Sequence, residues 1–143
     1  MTKHSEHSLL PFTPEQLFDL VADVEHYAEF VPWWIAARVS QRDGDIVYVE
    51  QIIGLGVIQR QFTSRAVLQR PVSVHITSQD RFFEYLSITW RIQPLTQGHT
   101  TILLTTEFSL HSGLLQILFK KLFFQETKRL IEAFEHRAQQ LYG

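Results

Sequence analysis

From Phe12 to Trp34 apolar residues recur at helical spacing, from Ile35 to Leu110 they alternate with polar ones, and from Ser112 to Tyr142 the helical spacing returns. These switches of period predict short helices, then a sheet, then a closing helix. The first helix is well marked. Thr13 is an N-cap whose hydroxyl can accept from the Gln16 amide, Pro14 suits the first helical position, and Gln16 can reach back to complete a capping box. Phe12 and Leu17 occupy hydrophobic-staple positions. Leu17, Leu20, Val21 and Val24 share one face, and a second short helix carries Tyr27, Phe30 and Val31 until Pro32 stops it.

After Pro32 the period is two. Ile35, Ala37 and Val39 alternate with Ala36, Arg38 and Ser40, and Asp43-Gly44 is a hairpin signal leading into a strand from Asp45 through Ile53. Past the glycine turn at Gly54-Leu55-Gly56, Phe62, Ser64, Ala66 and Leu68 form the next inward face, and Pro71 breaks it. Val72, Val74 and Ile76 follow, then Leu86, Ile88, Trp90 and Ile92. After the turn from Pro94 to Gly98 come Ile102, Leu104, Thr106, Phe108 and Leu110. A sheet with one buried and one wet face is expected, and it needs a cover. The segment from Ser112 to Tyr142 supplies it, with Leu115, Phe119, Leu122, Phe123, Leu130, Phe134, Ala138 and Leu141 on the stripe that lies on the sheet. Lys128, Arg129, Glu132, Glu135, Arg137 and Gln139 are left for water. The expected fold is α+β in a helix-grip arrangement: residues 1–143 form one domain in which a curved antiparallel sheet, two short N-terminal helices and a long C-terminal helix enclose an apolar cavity.

The first half of that helix is too apolar for one stripe. Leu114, Leu115, Ile117, Leu118, Phe119, Leu122, Phe123 and Phe124 surround its axis. Either the helix start is deeply buried, or it forms the mouth of an apolar tunnel that touches a membrane, with Lys120 and Lys121 reaching toward lipid phosphates. The run from Ile52 to Ile58 is either the opposite lip or core. The expected cavity wall comprises Trp34, then Phe62 and Ala66, Val74, then Leu86, Ile88 and Trp90. Leu104 and Phe108, with Leu115, Phe119 and Phe123 from the helix, complete it. Leu55, Val57, Leu114, Leu118 and Phe124 are the expected mouth or membrane residues.

Composition narrows the function classes. With 45% hydrophobic and 20% charged residues the chain is globular, and a net charge of −2 without a basic run gives no footprint for nucleic acid, so no DNA partner is expected. The absence of cysteine excludes disulfides and thiolate metal sites and suits a reducing cytosol. Residues 1–7 are polar rather than signal-like, and no run approaches the roughly 20 apolar residues of a membrane span, so a soluble or peripheral protein is expected. Catalytic signals are weak. The seven histidines include no His-Glu-x-x-His spacing, so no metal is expected; Gly54-Leu55-Gly56 lacks the third glycine of a dinucleotide site, and no serine sits in a Gly-x-Ser-x-Gly elbow. Glu50, Arg60, Glu84, Arg91 and Glu107 lie on strands, where an inward-facing one would be a candidate acid, base or headgroup ligand.

Several short motifs fall in one order: Tyr27 with Phe30-Val-Pro-Trp33, then Phe62-Thr-Ser-Arg65, Trp90-Arg91, Ala133-Phe-Glu-His-Arg-Ala138 and Leu141-Tyr-Gly143. Over essentially the whole chain this order resembles the Coq10/RatA-like coenzyme Q-binding family of the START and polyketide cyclase-like superfamily. Two departures stand out. Trp34 is where family members usually carry a cysteine, which is expected to narrow the cavity, and Gly56-Val57 replaces a frequent Lys-Gly pair. The resemblance implies a START/Bet v1-like fold and a non-enzymatic protein that binds and delivers ubiquinone or a related isoprenoid lipid in support of cellular respiration. No other cofactor is implied, and the location would be cytoplasmic, peripheral on the cytoplasmic face of the inner membrane. Tyr48, Tyr85, Trp33, Trp34 and Trp90 carry the donors that a quinone carbonyl would accept from. Some bacterial relatives are toxins that hinder ribosomal subunit association, which makes the ribosome an alternative partner. A polyketide cyclase or aromatase on the same fold is the other alternative. It would require an inward acid/base pair such as Glu84 with Arg91 or Tyr85.

Overall fold

The computed structural model describes residues 2–55, 57–78 and 80–143, the side chains of Leu55 and Ile58 excepted. Strand β1 (Thr2–Leu10) leads to helix α1 (Pro14–Ala22) and a 3-10 helix (Val24–Glu29). Six strands follow, β2 (Trp34–Asp43), β3 (Ile46–Leu55), β4 (Ile58–Gln69), β5 (Ser73–Ser78), β6 (Phe83–Pro94) and β7 (Thr100–Leu110), and helix α2 (Gly113–Tyr142) closes the fold. All neighbours pair antiparallel in the order β1-β7-β6-β5-β4-β3-β2. This is the helix-grip architecture that the periodicity predicts.

The local signals act as expected. Gln16 N donates to Thr13 Oγ1 at 3.1 Å and Thr13 N donates to Gln16 Oε1 at 3.0 Å, so the capping box satisfies two otherwise orphaned amides. The staple residues Phe12 and Leu17 are both buried. At the other helix, Leu115 N donates to Ser112 Oγ at 3.3 Å, while Gln116 accepts from Leu110 N at 2.6 Å and donates to Thr2 Oγ1 at 2.8 Å. Gln116 thereby ties the start of α2 to both β7 and β1. The edge of β2 is also covered, because Val39 N donates to Glu25 Oε2 of the 3-10 helix at 3.0 Å.

Three expected inward residues are elsewhere. Ile35 is exposed because the β2–β3 register shifts between Trp34 and Ala36, a bulge that sends Trp34, Ala37 and Val39 inward and leaves Ile35 outside. It folds over Gly54, where a Cβ would come within 3.1 Å of Ile35 Cδ1. Val72 precedes β5 and is exposed in the turn. Leu141 is exposed because the buried positions Thr127, Leu130, Ile131, Phe134 and Ala138 recur every three or four residues and the contact line continues four residues past Ala138 rather than three. By the last turn it has reached Tyr142, whose ring packs 5.9 Å from Phe12.

Phe134 is fully buried and anchors α2. Its ring meets Tyr27 at 5.2 Å, Phe30 at 5.0 Å and Trp90 at 4.8 Å, joining the closing helix to the 3-10 helix and to β6. Arg137, one turn further on, donates to Glu29 at 3.1 Å and stacks over Phe30 instead of facing only water. Replacing Phe134 by Ala should lower the unfolding free energy by about 3–5 kcal/mol in chemical denaturation. Leu141→Ala should change it by no more than about 0.5 kcal/mol.

Candidate functional site

Between the sheet and its helical cover lies an apolar cavity in three lobes. The first, under α1 and the 3-10 helix, is lined by residues that include Val21, Val24, Tyr27, Val47, Val49, Ala66 and Val74. The second lies under the first half of α2 and is lined by residues including Ile53, Phe62, Phe83, Leu86, Phe108, Phe119 and Phe123. The third connects toward the anchor through Ile76, Trp90, Leu104, Thr106, Leu130 and Phe134. Each lobe is a narrow slot, with a cavity volume of about 40, 50 and 50 Å³ respectively. Trp34 and Ile88 line all three, so they are the partition. The bulk of Trp34 divides this space into slots.

Of the expected wall residues, Trp34, Phe62, Ala66, Val74, Leu86, Ile88, Trp90, Leu104, Phe108, Phe119 and Phe123 all line at least one lobe. Leu115 does not: it is half-buried and packs against the neighbouring core cluster. Among the expected mouth residues, Leu114 is 78% exposed, Leu118 is exposed, and Val57 is fully exposed in the β3–β4 turn. Ile117, outside the expected mouth residues, is 71% exposed. Phe124 is 39% exposed, lines none of the three lobes and has its ring 4.8 Å from His4 of β1. The Leu55 side chain and Gly56 lie outside the described residues.

The strand charges face outward. Glu50 pairs with Arg38 at 2.6 Å, Glu107 with Lys3 at 3.7 Å, and Glu84 stands 3.8 Å from His111. Arg60 lies over Phe82, and Tyr85 and Arg91 are exposed. Glu84, Tyr85 and Arg91 therefore form no acid/base pair inside the cavity. The described titratable groups in its wall are Tyr27 and Glu126. Tyr27 donates its hydroxyl to the Val21 carbonyl, and burial pushes its pKa far above the usual phenol value. Glu126 sits at the rim with its side chain 22% exposed and its carboxylate 3.4 Å from Arg129. On the outside of the 3-10 helix, the hydrogen bond and charge of Asp23 raise the His26 pKa.

Polar groups in the wall are few. Gln51 Nε2 donates to Ser64 Oγ at 2.7 Å, both residues being buried in the first lobe, and Thr106 adds a hydroxyl to the third. The indole N–H groups of Trp33 and Trp34 are buried without a hydrogen-bond partner. Gln51, Thr106, Tyr27 and Glu126 were absent from the expected site, yet the pattern contained signals for two of them. Gln51 shares the two-residue register of Val47, Val49 and Ile53, and Glu126 falls between Leu122 and Leu130 on the helical stripe. Among the described residues, no group of three or more His, Asp or Glu side chains could hold a metal ion. No described helix is long and apolar enough to cross a membrane.

Comparison with known proteins agrees with this geometry. The protein is 33% identical, over 100% of both chains, to the ribosome association toxin RatA of Pseudomonas aeruginosa. It is 28% identical over 99% of its length to the mitochondrial coenzyme Q-binding protein COQ10 homolog B of Xenopus laevis, of which it covers 59%. In fold it matches the Zhui aromatase/cyclase of a Streptomyces species with a TM-score of 0.88 at 14% identity, covering 97% of this chain and 94% of that one. A START superfamily protein from Mycobacterium smegmatis gives a TM-score of 0.85 at 17% identity, covering 97% and 98% respectively. Residues 10–135 match the family described as polyketide cyclase/dehydrase and lipid transport, and the chain belongs to that family, as a relative of the RatA and COQ10 proteins.

Proposed function

We propose that this protein is a non-enzymatic carrier that binds ubiquinone or a related isoprenoid lipid in the three-lobed cavity and delivers it in support of respiratory electron transport. What carries the reading is a largely apolar wall in which Tyr27 is committed to the Val21 carbonyl and Glu126 stands at the rim beside Arg129, while Glu84, Tyr85 and Arg91 face solvent. Such a wall suits holding a molecule better than protonating one. The name of the COQ10 relative supports the headgroup class. Burial contributes about 0.8 kcal/mol per methylene relative to water, but a lipid already dissolved in a bilayer gains almost nothing by moving into another apolar phase. Transfer in both directions is then easy, as a carrier requires.

Delivery calls for contact with a membrane, and the first half of α2 suits that role. Leu114, Ile117 and Leu118 are exposed on its outer side, and Lys120 and Lys121 flank them. Between Glu107 and Glu126 the chain carries no carboxylate. An apolar ridge with lysines beside it favours an anionic lipid surface. The protein would then work on the cytoplasmic face of the inner membrane.

A second reading is favoured by one observation, the full-length identity to RatA proteins: the partner is a ribosomal subunit.

Three measurements separate these readings. Native mass spectrometry with lipid extraction should find a quinone or isoprenoid bound at a substantial fraction of the protein. Ala66→Phe, which fills the first lobe, should reduce that fraction severalfold while thermal melting stays cooperative; an unchanged load would remove this lobe from the site. In liposome flotation, Leu114→Ser with Ile117→Ser should weaken binding to anionic vesicles by at least tenfold, as expected for two exposed anchors worth about 1 kcal/mol or more each. Equal flotation of the folded variant would take these side chains out of the membrane contact. Co-sedimentation with purified ribosomal subunits, weakened as salt rises, would favour the second reading, and the carrier reading expects none.

A further inference from the structure

The second and third lobes are walled in part by two hydrogen-bond donors that have no partner, and few side-chain acceptors stand beside them. Trp33 and Trp34 line the second and third lobes, and their Nε1 atoms are buried without a partner. Their rings lie 5.4 Å apart, so the two donors belong to adjoining pieces of the same wall. An indole N–H can only donate. The other polar side chains here are Thr106, whose hydroxyl can donate or accept, and Glu126, an acceptor held at the rim beside Arg129.

Buried donors without partners are uncommon in folded proteins, and a ligand that brings an acceptor relieves them. A carbonyl oxygen does so and brings no donor of its own. A hydroxyl in the same place also brings an O–H, and away from Thr106 and the rim carboxylate of Glu126 that proton finds no side-chain acceptor in these lobes.

We infer that Trp33 and Trp34 are specificity-determining donors that make the cavity select the carbonyl-bearing, oxidised form of its apolar ligand over the hydroxyl-bearing, reduced form. For an isoprenoid quinone this means quinone over quinol. The inference rests on the carrier reading above and adds which redox form is carried. The protein itself moves no electrons. Selective binding nevertheless stabilises the oxidised state, so a tenfold preference lowers the bound two-electron couple by about 30 mV relative to the free one.

The test is anaerobic calorimetric titration of the purified full chain with three probes: decyl-ubiquinone, its two-electron, two-proton reduced quinol, and farnesene, which has a tail and no headgroup. The quinone should bind about tenfold more tightly than the quinol, the size expected for one net hydrogen bond. Trp33→Phe and Trp34→Phe each keep an aromatic ring and lose the N–H. Each should bring the quinone-to-quinol ratio toward one while farnesene binding holds. A merely structural role would weaken all three probes together and leave the ratio unchanged, which would overturn the inference. Equal affinity for quinone and quinol in the unaltered protein, with farnesene bound, would overturn it too and leave the carrier reading standing. A preference for quinol that Glu126→Gln abolishes would overturn it by making the carboxylate the selecting group. Failure of all three probes to bind would overturn both readings.

Discussion

The packing of Phe134 against Tyr27, Phe30 and Trp90 is the interaction on which the rest of the structure depends. A seven-stranded sheet with one apolar face must be covered, and a single helix is narrower than that face. The second half of α2 is pinned to the core, and there Phe134 and Ala138 are fully buried. Large rings stand between helix and strands at that point. Toward its first half the helix still covers the sheet with Phe119 and Phe123, but α1, the 3-10 helix, Trp33 and Trp34 fill the remaining width incompletely. The cavity is therefore a consequence of how the cover is pinned.

The polar accounting inside that cavity bears on what it can recognise. Gln51 and Ser64 satisfy one another across neighbouring strands, as buried polar groups ordinarily do. The two indoles do not. Apolar burial discriminates poorly between lipids that already reside in a bilayer, so discrimination falls to the few groups that can form a directional bond. The outward orientation of the strand charges has the same origin as the apolar wall. An unpaired ion facing the cavity would carry a large desolvation penalty, and Glu50 and Glu107 instead find cations on the wet face of the sheet.

Much of the architecture was legible because its signals are local. The capping box at Thr13 and Gln16, the Ser112 cap and the alternation of β4, β6 and β7 each depend on residues within a few positions of one another. The failures share the opposite character. Ile35 lies outside because of a bulge defined by pairing with β3, and Leu141 because the last contact of α2 falls on Tyr142, against Phe12 from the other end of the chain. Leu115 sits on an over-apolar helix start whose sides look alike in sequence; only contact with the core sets it apart.

By itself, the sequence determined the order of elements, the apolar face of most strands and the list from which the cavity wall is drawn, since periodicity and capping act over a few residues. Only the tertiary structure decided that Trp34 and Ile88 partition the space, that Glu126 reaches its rim and that both indole donors lack partners. These properties arise where side chains from distant strands and α2 converge. Whether a buried group is satisfied depends on the side chains that surround it in space.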